Sequence, residues 1–321
     1  MLEIIKKLFQ FIPSVVKYRR EARRLSKVDY FNYEELLKGG YVHLKFFNIV
    51  CAYGNHKAVA KLIHRKFNFV FDYLEHGVCF YDTPESTMLM GYATRFGIKN
   101  IYTYSDHRKG LVEEFLESKG INKRVLAVGP YILGAENFHS KEELHNIKKQ
   151  YGRILLVYPC HSIDTIKAVY DIAALIDEIN RIRKDFDNVF VCLHWGDILN
   201  RERLLKYKDS GFVIVSNGLG SDPSFLSRQK DIMMLSDMVM TNGLGTHIGY
   251  AVCLQRPVYF FQQDKSFTDG QGKALEENAN VKNTEQQFMK AFKHYSFDIT
   301  EEQIELVQKY WGRWDLESTL R

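Results

Sequence analysis

Met240-Thr241-Asn242-Gly243-Leu244-Gly245-Thr246-His247-Ile248-Gly249-Tyr250-Ala251 follows one apolar run and leads into another that stops at Arg256-Pro257. A strand, a glycine-rich turn and a helix have this grammar. Glycines here let the backbone come close to a ligand or take positive φ without a Cβ clash. The free N–H groups of the helix start point at that ligand, and the helix dipole favours an anion there. Thr246 and His247 add a hydroxyl and an imidazole. A phosphate-bearing small molecule suits the corner, although a tight corner with nothing bound has the same sequence; the rest of the chain must separate the two.

Upstream, short apolar strands alternate with helical patterns. Strands are expected at Arg153–Tyr158, Val189–Leu193, Phe212–Val215, Met238–Thr241 and Val258–Phe261. Helices are expected at Ile163–Lys184, Asn200–Asp209 and Ser224–Leu235. The first half reads less cleanly: strands at Tyr41–Cys51, Phe67–Tyr73, Gly77–Tyr81, Asn100–Tyr104 and Arg124–Val128. Its helices fall at Lys57–Lys66, Glu85–Phe96 and Arg108–Lys119, the last closed by Gly120. A loop over Gly129–Ser140 and a charged helix at Lys141–Tyr151 serve as the linker. Such alternation implies parallel sheets with helices on both faces. The fold class is therefore α/β, with two Rossmann-like parallel-sheet domains facing across a cleft. Boundaries fall at 28–140 and 141–295, flanked by a basic segment at 1–27 and a terminal helix at 296–321.

Ligands of open α/β sheets bind beyond the carboxyl ends of the strands. Four second-half loops follow strands there: Pro159-Cys160-His161-Ser162, His194-Trp195-Gly196-Asp197, Ser216–Asp222 with Asn217-Gly218, and Asn242–His247. Each carries residues suited to binding, and that convergence favours a ligand site over a plain corner.

With 321 residues, 45% of them hydrophobic, the chain can bury a large core. Its net charge of +5 mixes 44 basic with 39 acidic residues, so no nucleic-acid partner is expected. Cys51, Cys79, Cys160, Cys192 and Cys253 lie far apart and none forms a C-x-x-C pair, which fits reduced thiols in a cytoplasmic protein rather than a zinc site. No apolar run approaches the ~18–20 residues of a membrane span. In 1–27, however, Leu2, Ile5, Leu8, Phe9 and Ile12 recur at helical spacing among Lys6, Lys7, Lys17, Arg19, Arg20, Arg23, Arg24 and Lys27. Such a helix lies on an anionic membrane face or docks on the protein's own core.

Tyr158–Ser162, Ser236–Ala251 and Leu254-Gln255-Arg256-Pro257-Val258, with Leu74-Glu75-His76-Gly77 and Val128-Gly129-Pro130-Tyr131, resemble GT-B nucleotide-sugar glycosyltransferases of bacterial capsule and lipopolysaccharide synthesis. The resemblance implies a nucleotide-sugar donor held by the C-terminal domain and a glycan or lipid-linked acceptor held by the N-terminal one. It also implies a terminal helix returning toward the first domain; the capping box Thr300-Glu301-Glu302-Gln303 opens that helix, and an amphipathic lid on the core has the same pattern. Related sialyl- and Kdo-type enzymes carry a His-Pro pair near the donor phosphate, whereas here the order is Pro159-Cys160-His161. The Glu-x₇-Glu motif of many retaining relatives is not evident.

Glycosyl transfer needs a stabilised leaving phosphate, a deprotonated acceptor hydroxyl and exclusion of water. Gly243, Gly245, Thr246 and His247 suit the phosphate, as do His161 and Ser162. His194, Trp195 and Gly196 suit a base or ribose, with Trp195 as a stacking wall. Asn217, Gly218 and Asn242 suit polar edges. Asp185-Phe186-Asp187 precedes its strand, at the end facing away from the cleft, so it is assigned to a turn and no metal cofactor is expected. The general base is sought at Glu75 and His76, with His76 favoured by its ordinary pKa; a packing role for His76 is the competing assignment. Asp82, Asp106 and His107 are lesser options, and His56 and His64 are structural. A sugar-nucleotide epimerase of similar fold, or a non-catalytic glycan- or nucleotide-binding partner, are the alternative functions.

Overall fold

The computed structural model describes residues 15–40, 52–68, 71–80, 97–162, 166–275 and 279–314. The strand expected at 41–51, the helix expected at 85–96, Cys51, Asp82 and the apolar part of the basic segment (1–14) lie outside these residues.

Two parallel sheets form the frame, and the chain is a mixed α/β protein. In the first half β1 (Asp72–Leu74), β2 (Asn100–Thr103) and β3 (Arg124–Ala127) pair in sequence order, all parallel. The second half begins with β4 (Ile154–Tyr158), buried throughout. A parallel strand covered on both faces is continuously apolar rather than alternating, hence Ile-Leu-Leu-Val-Tyr. Beside it lie β6 (Asn188–Cys192), β7 (Val213–Val215), β8 (Met238–Thr241) and β9 (Val258–Phe260), in the order β7-β6-β4-β8-β9 and all parallel.

The strand period of two sorts these side chains onto two faces. Leu155, Val157, Val189, Val191, Met238 and Met240 meet Leu175, Ile179 and Ile182 of the helix Ile172–Ile182. Ile154, Leu156, Phe190 and Val239 face the other way, toward the helices Phe225–Leu235 and Thr246–Cys253. Each fully buried aliphatic side chain stabilises the fold by roughly 1.5–3 kcal/mol.

The span expected as one helix over 163–184 divides. Lys167–Tyr170 is a strand, β5, paired antiparallel with β10 (Lys265–Thr268), which also pairs with β11 (Ala274–Leu275). The reason is local: Ala168 is buried while Lys167 and Val169 are exposed, a period-two pattern, and Asp171 then caps the helix by accepting the Ala174 N–H at 3.1 Å. Residues 77–80, expected as a strand, are an irregular loop. The stretch 129–140 contains one helical turn, Tyr131–Gly134.

The N-terminal segment packs against the second half. Residues 15–25 are helical. Buried Arg228 donates to the carbonyls of Leu25 and Val28, and the Ser216 N–H donates to the Tyr30 carbonyl at 3.0 Å. At the other terminus the helix Glu301–Trp311 has the expected capping box, and buries Trp311 against Gly249, Phe80 and Phe288.

Candidate functional site

Chain order runs β4, β6, β7 to one side of β4 and β8, β9 to the other. Such a reversal opens a crevice between the two diverging loops at the carboxyl edge, here those after Tyr158 and Thr241. A cavity of about 310 Å³ lies there. The first half closes it with Tyr53, Asn55 and the loop His76–Phe80, which follows β1. The carboxyl edges of both sheets therefore contribute to one site.

Eight of the residues singled out in the sequence line this cavity: His76 from the first half, with His161, His194, Asn217, Gly218, Gly245, Thr246 and His247 from the second. Six do not. The Glu75 carboxylate is buried; one oxygen takes Arg108 Nε at 2.9 Å and the other takes the Thr103 hydroxyl at 2.6 Å. Both oxygens are engaged, which gives Glu75 a structural role in place of a free base's geometry. Ser162 Oγ accepts the Ala168 N–H at 3.2 Å, anchoring β5. Trp195 begins the short helix Trp195–Leu199 and lies outside the cavity, so it is no stacking wall there. The Gly196 N–H donates to His194 Nδ1 at 3.3 Å. Asn242 ties the turn together: its Oδ1 accepts the Cys160 N–H at 2.6 Å and its Nδ2 donates to Gln263 at 2.7 Å.

Gly243 is likewise internal, its N–H donating to Thr241 Oγ1 at 3.2 Å. The Leu244 N–H donates to Glu285 Oε1 at 3.1 Å, and that carboxylate is paired with Lys265. The first amides of the turn are thus already satisfied. Among the described residues, no acceptor takes the N–H groups of Gly245, Thr246 or His247. The amides left open in the stretch 243–247 are those of 245–247, at the start of the helix Thr246–Cys253. Gly245 is required there by close approach: a Cβ would fall 2.7 Å from the His247 ring.

Hydrogen bonding fixes the histidine tautomers. The Thr241 hydroxyl has one proton and two carbonyl neighbours, Tyr158 O at 2.9 Å and Gly243 O at 3.0 Å. His247 Nε2, 2.9 Å from the same oxygen, must therefore carry the proton and donate. The ring stacks on Tyr158 at 4.8 Å, and burial, reinforced by His161, holds its pKa down to about 3. His247 is thus a neutral wall turned toward Thr241, not the phosphate donor expected. His161 Nδ1 donates to the Ser162 carbonyl at 3.3 Å, while His194 Nδ1 accepts from Gly196. The two rings stack at 4.3 Å. Burial lowers both, and for His194 the neighbouring His161 lowers it further. The Ser162 carbonyl acts on both rings, so His194 as well as His161 is tied to that loop. Burial also lowers His76, against the opposing pull of Glu75, so at neutral pH it is an unprotonated base.

Several cavity residues had no site role assigned from the sequence. Tyr53 adopts φ 59°, a left-handed conformation uncommon outside glycine, and its N–H donates to the Gly220 carbonyl at 2.6 Å. Tyr158, Cys192, Phe225, Gln229 and Tyr250 also line the space. The buried hydroxyls of Tyr250 and Tyr104 meet at 2.9 Å, joining the two halves. Away from the cavity, Asp187 Oδ2 accepts the Arg153 N–H at 2.7 Å and Asp185 accepts the Tyr295 hydroxyl at 2.7 Å, at the amino edge of the sheet. His56 is held down to about 4 by burial and then by Lys57; His64 sits at φ 52° just beyond the helix Asn55–Leu62. Asp106 opens the helix Asp106–Ser118, and His107 packs edge-on to Tyr310.

Among solved structures, the chain is similar to HepE from Anabaena (Alr3699/HepE). One such structure is a complex with UDP and glucose, at 12% identity over 82% of this chain and 71% of that one, with a TM-score of 0.36. Another is a complex with UDP, at 12% identity over 82% and 72% of the two chains, again with a TM-score of 0.36. No family model and no curated relative matches the chain.

Proposed function

We propose that this chain is a nucleotide-sugar glycosyltransferase of the GT-B kind, acting in surface-glycan synthesis. One observation carries the reading: the open N–H groups of Gly245, Thr246 and His247 begin a helix whose start faces a cavity shared by the carboxyl edges of both parallel sheets. The donor's phosphoryl oxygens sit at those amides, helped by the Thr246 hydroxyl. His76 takes the proton of an acceptor hydroxyl, whose oxygen bonds to the anomeric carbon as the bond to phosphate breaks. The neutral state that burial imposes on His76 is the state a base needs.

In this reading charge on the leaving nucleotide is stabilised without a metal. Hard cations take carboxylates, and no Asp or Glu lines the cavity among the described residues. The outward face of residues 15–25, with exposed Lys17, Arg19, Arg20 and Arg23, is proposed to rest on an anionic membrane where a lipid-linked acceptor would be met. No helix among the described residues is long and apolar enough to cross a membrane.

Thermal unfolding with UDP, CMP, GDP and dTDP tests the donor site: a bound nucleotide raises the transition temperature by mass action. Unchanged melting with all four would sink the proposal. Nucleotide binding without sugar release from any nucleotide sugar would favour the non-catalytic partner instead.

A further inference from the structure

Tyr158, the last residue of β4, is only 7% exposed. Its ring is clamped against His247. Its hydroxyl lies beside Cys192, Gln229 and Asn217, yet hydrogen-bonds to none of them. Buried hydroxyls nearly always have a partner, so an orphan of this kind marks a place where one is to be supplied.

Two side-chain amides stand next to this hydroxyl. Asn217 Oδ1 takes the Cys192 thiol at 3.7 Å, but its Nδ2 donates to no described residue. The Gln229 amide, 8% exposed, has the Tyr158 hydroxyl beside it. All three residues line the cavity, the Tyr158 hydroxyl lying just beneath its surface. Their backbones are fixed: Tyr158 within the sheet, Gln229 in the helix Phe225–Leu235, and Asn217 by Arg228, which donates to its carbonyl at 3.2 Å. Rigid, uncharged donors and acceptors in one corner favour a neutral polar partner over an ion, because an anion there would find no cation.

We propose that this corner is a subsite for an uncharged part of the ligand that presents an adjacent donor and acceptor, read by Tyr158 Oη with the side-chain amides of Asn217 and Gln229. A vicinal diol of a sugar and the imide edge of a nucleobase share that chemistry. The assignment rests on the nucleotide-sugar reading above, with the phosphate at residues 245–247 and the neutral end beyond the Tyr158 ring.

The test uses the full chain and its Tyr158→Phe and Gln229→Leu variants, melted alone and titrated with UDP, CMP, GDP and dTDP and their sugar conjugates. For Tyr158→Phe alone, the melting temperature should equal or slightly exceed the parent's, since the hydroxyl it removes bonds to nothing. Affinity should fall about tenfold in both variants. A fall confined to the sugar conjugates identifies the diol; an equal fall with the bare nucleotide identifies the base. A melting temperature several degrees lower for Tyr158→Phe alone would reveal a structural partner and overturn the subsite. Undiminished affinity in both variants would overturn it while leaving the nucleotide reading intact. A parent that answers to no nucleotide overturns both.

Discussion

The Thr246 hydroxyl accepts the backbone N–H of Val78 at 3.2 Å. A residue in the first turn of a second-half helix thus fixes the first-half loop that carries His76. The same residue's carbonyl accepts Trp311 Nε1 at 3.1 Å, so the terminal helix seats on that turn as well. Proposed base and proposed phosphate site are held in register through one threonine.

Replacing Thr246 by Val keeps the shape and removes the oxygen, leaving the Val78 N–H without its acceptor at a cost of about 1–3 kcal/mol. Thr246→Val should therefore weaken nucleotide binding by about tenfold or more, whereas Thr246→Ser should bind as the parent does. Titration calorimetry with the nucleotide that stabilises the parent decides; equal binding by both variants would remove Thr246 from the site.

At Gly245 the backbone is extended, at φ −170°, so any residue can adopt it. The obstacle is the His247 ring, 2.7 Å from where a Cβ would stand. Gly245→Ala should push the imidazole off Thr241 and crowd the open amides, costing nucleotide affinity with little loss of stability. Adding His247→Ala should restore much of that affinity. If the double variant binds no better than the single one, the ring is not what the glycine accommodates.

The strands of the larger sheet were legible because ILLVY, VFVC and MVMT are apolar runs bounded by polar loops, which is how buried parallel strands read. Seven candidate residues reached the cavity for the same reason: each follows such a strand or begins the next helix, while His76 follows β1 of the smaller sheet. What the sequence hid is non-local. Glu75 looks like a base beside His76 until Arg108 is folded against it from 33 residues away. Residues 167–170 sit in a segment apolar enough to pass for helix, and only pairing with β10 decides otherwise. Tyr53 gave no sign because its role follows from a left-handed backbone held by Gly220.

Glu75→Gln separates structure from catalysis. Removing the charge of one partner of a buried pair costs about 3–5 kcal/mol. Both side chains are nearly inaccessible, at 3% for Arg108 and 7% for Glu75. The variant should melt well below the parent, and whatever remains folded should bind nucleotide normally. A variant of parental stability with lost turnover would return Glu75 to the catalytic role.

Gly249 tests the terminal helix. A Cβ there would lie 2.2 Å from Trp311 Cδ2, inside the indole. Gly249→Ala should cost about 1–3 kcal/mol as an overpacked contact, and Trp311→Phe in the same chain should recover part of it. Calorimetric melting of the three variants checks this; a Gly249→Ala transition equal to the parent's would show that the helix is not seated there.

His139 links segments the sequence does not connect. Its Nδ1 lies 3.1 Å from Asp231 and its Nε2 3.0 Å from Asp29, so both ring nitrogens donate to carboxylates and the imidazolium is favoured. Hydrogen bonds to Asp231 and then Asp29 outweigh burial and raise its pKa from 6.5 to about 9. Since the folded value lies above the unfolded one, the stabilisation is complete below about pH 6.5 and is lost as pH rises through about 9. Its size is on the order of 2 kcal/mol, reduced from the full linkage value because Asp29 is partly solvated. The buried histidines 56, 76, 161, 194 and 247 have the opposite sign: their folded values are depressed, so their contribution is lost as pH falls below about 6.5. The two windows do not overlap, and stability should peak near neutrality. Urea unfolding from pH 6.5 to 9.5 should show the parent weakening more steeply than His139→Gln, because a glutamine amide cannot lose a proton there. Parallel slopes for the two proteins would mean that His139 is not protonated between its carboxylates, and that the N-terminal segment is held to the second half by Arg228 without it.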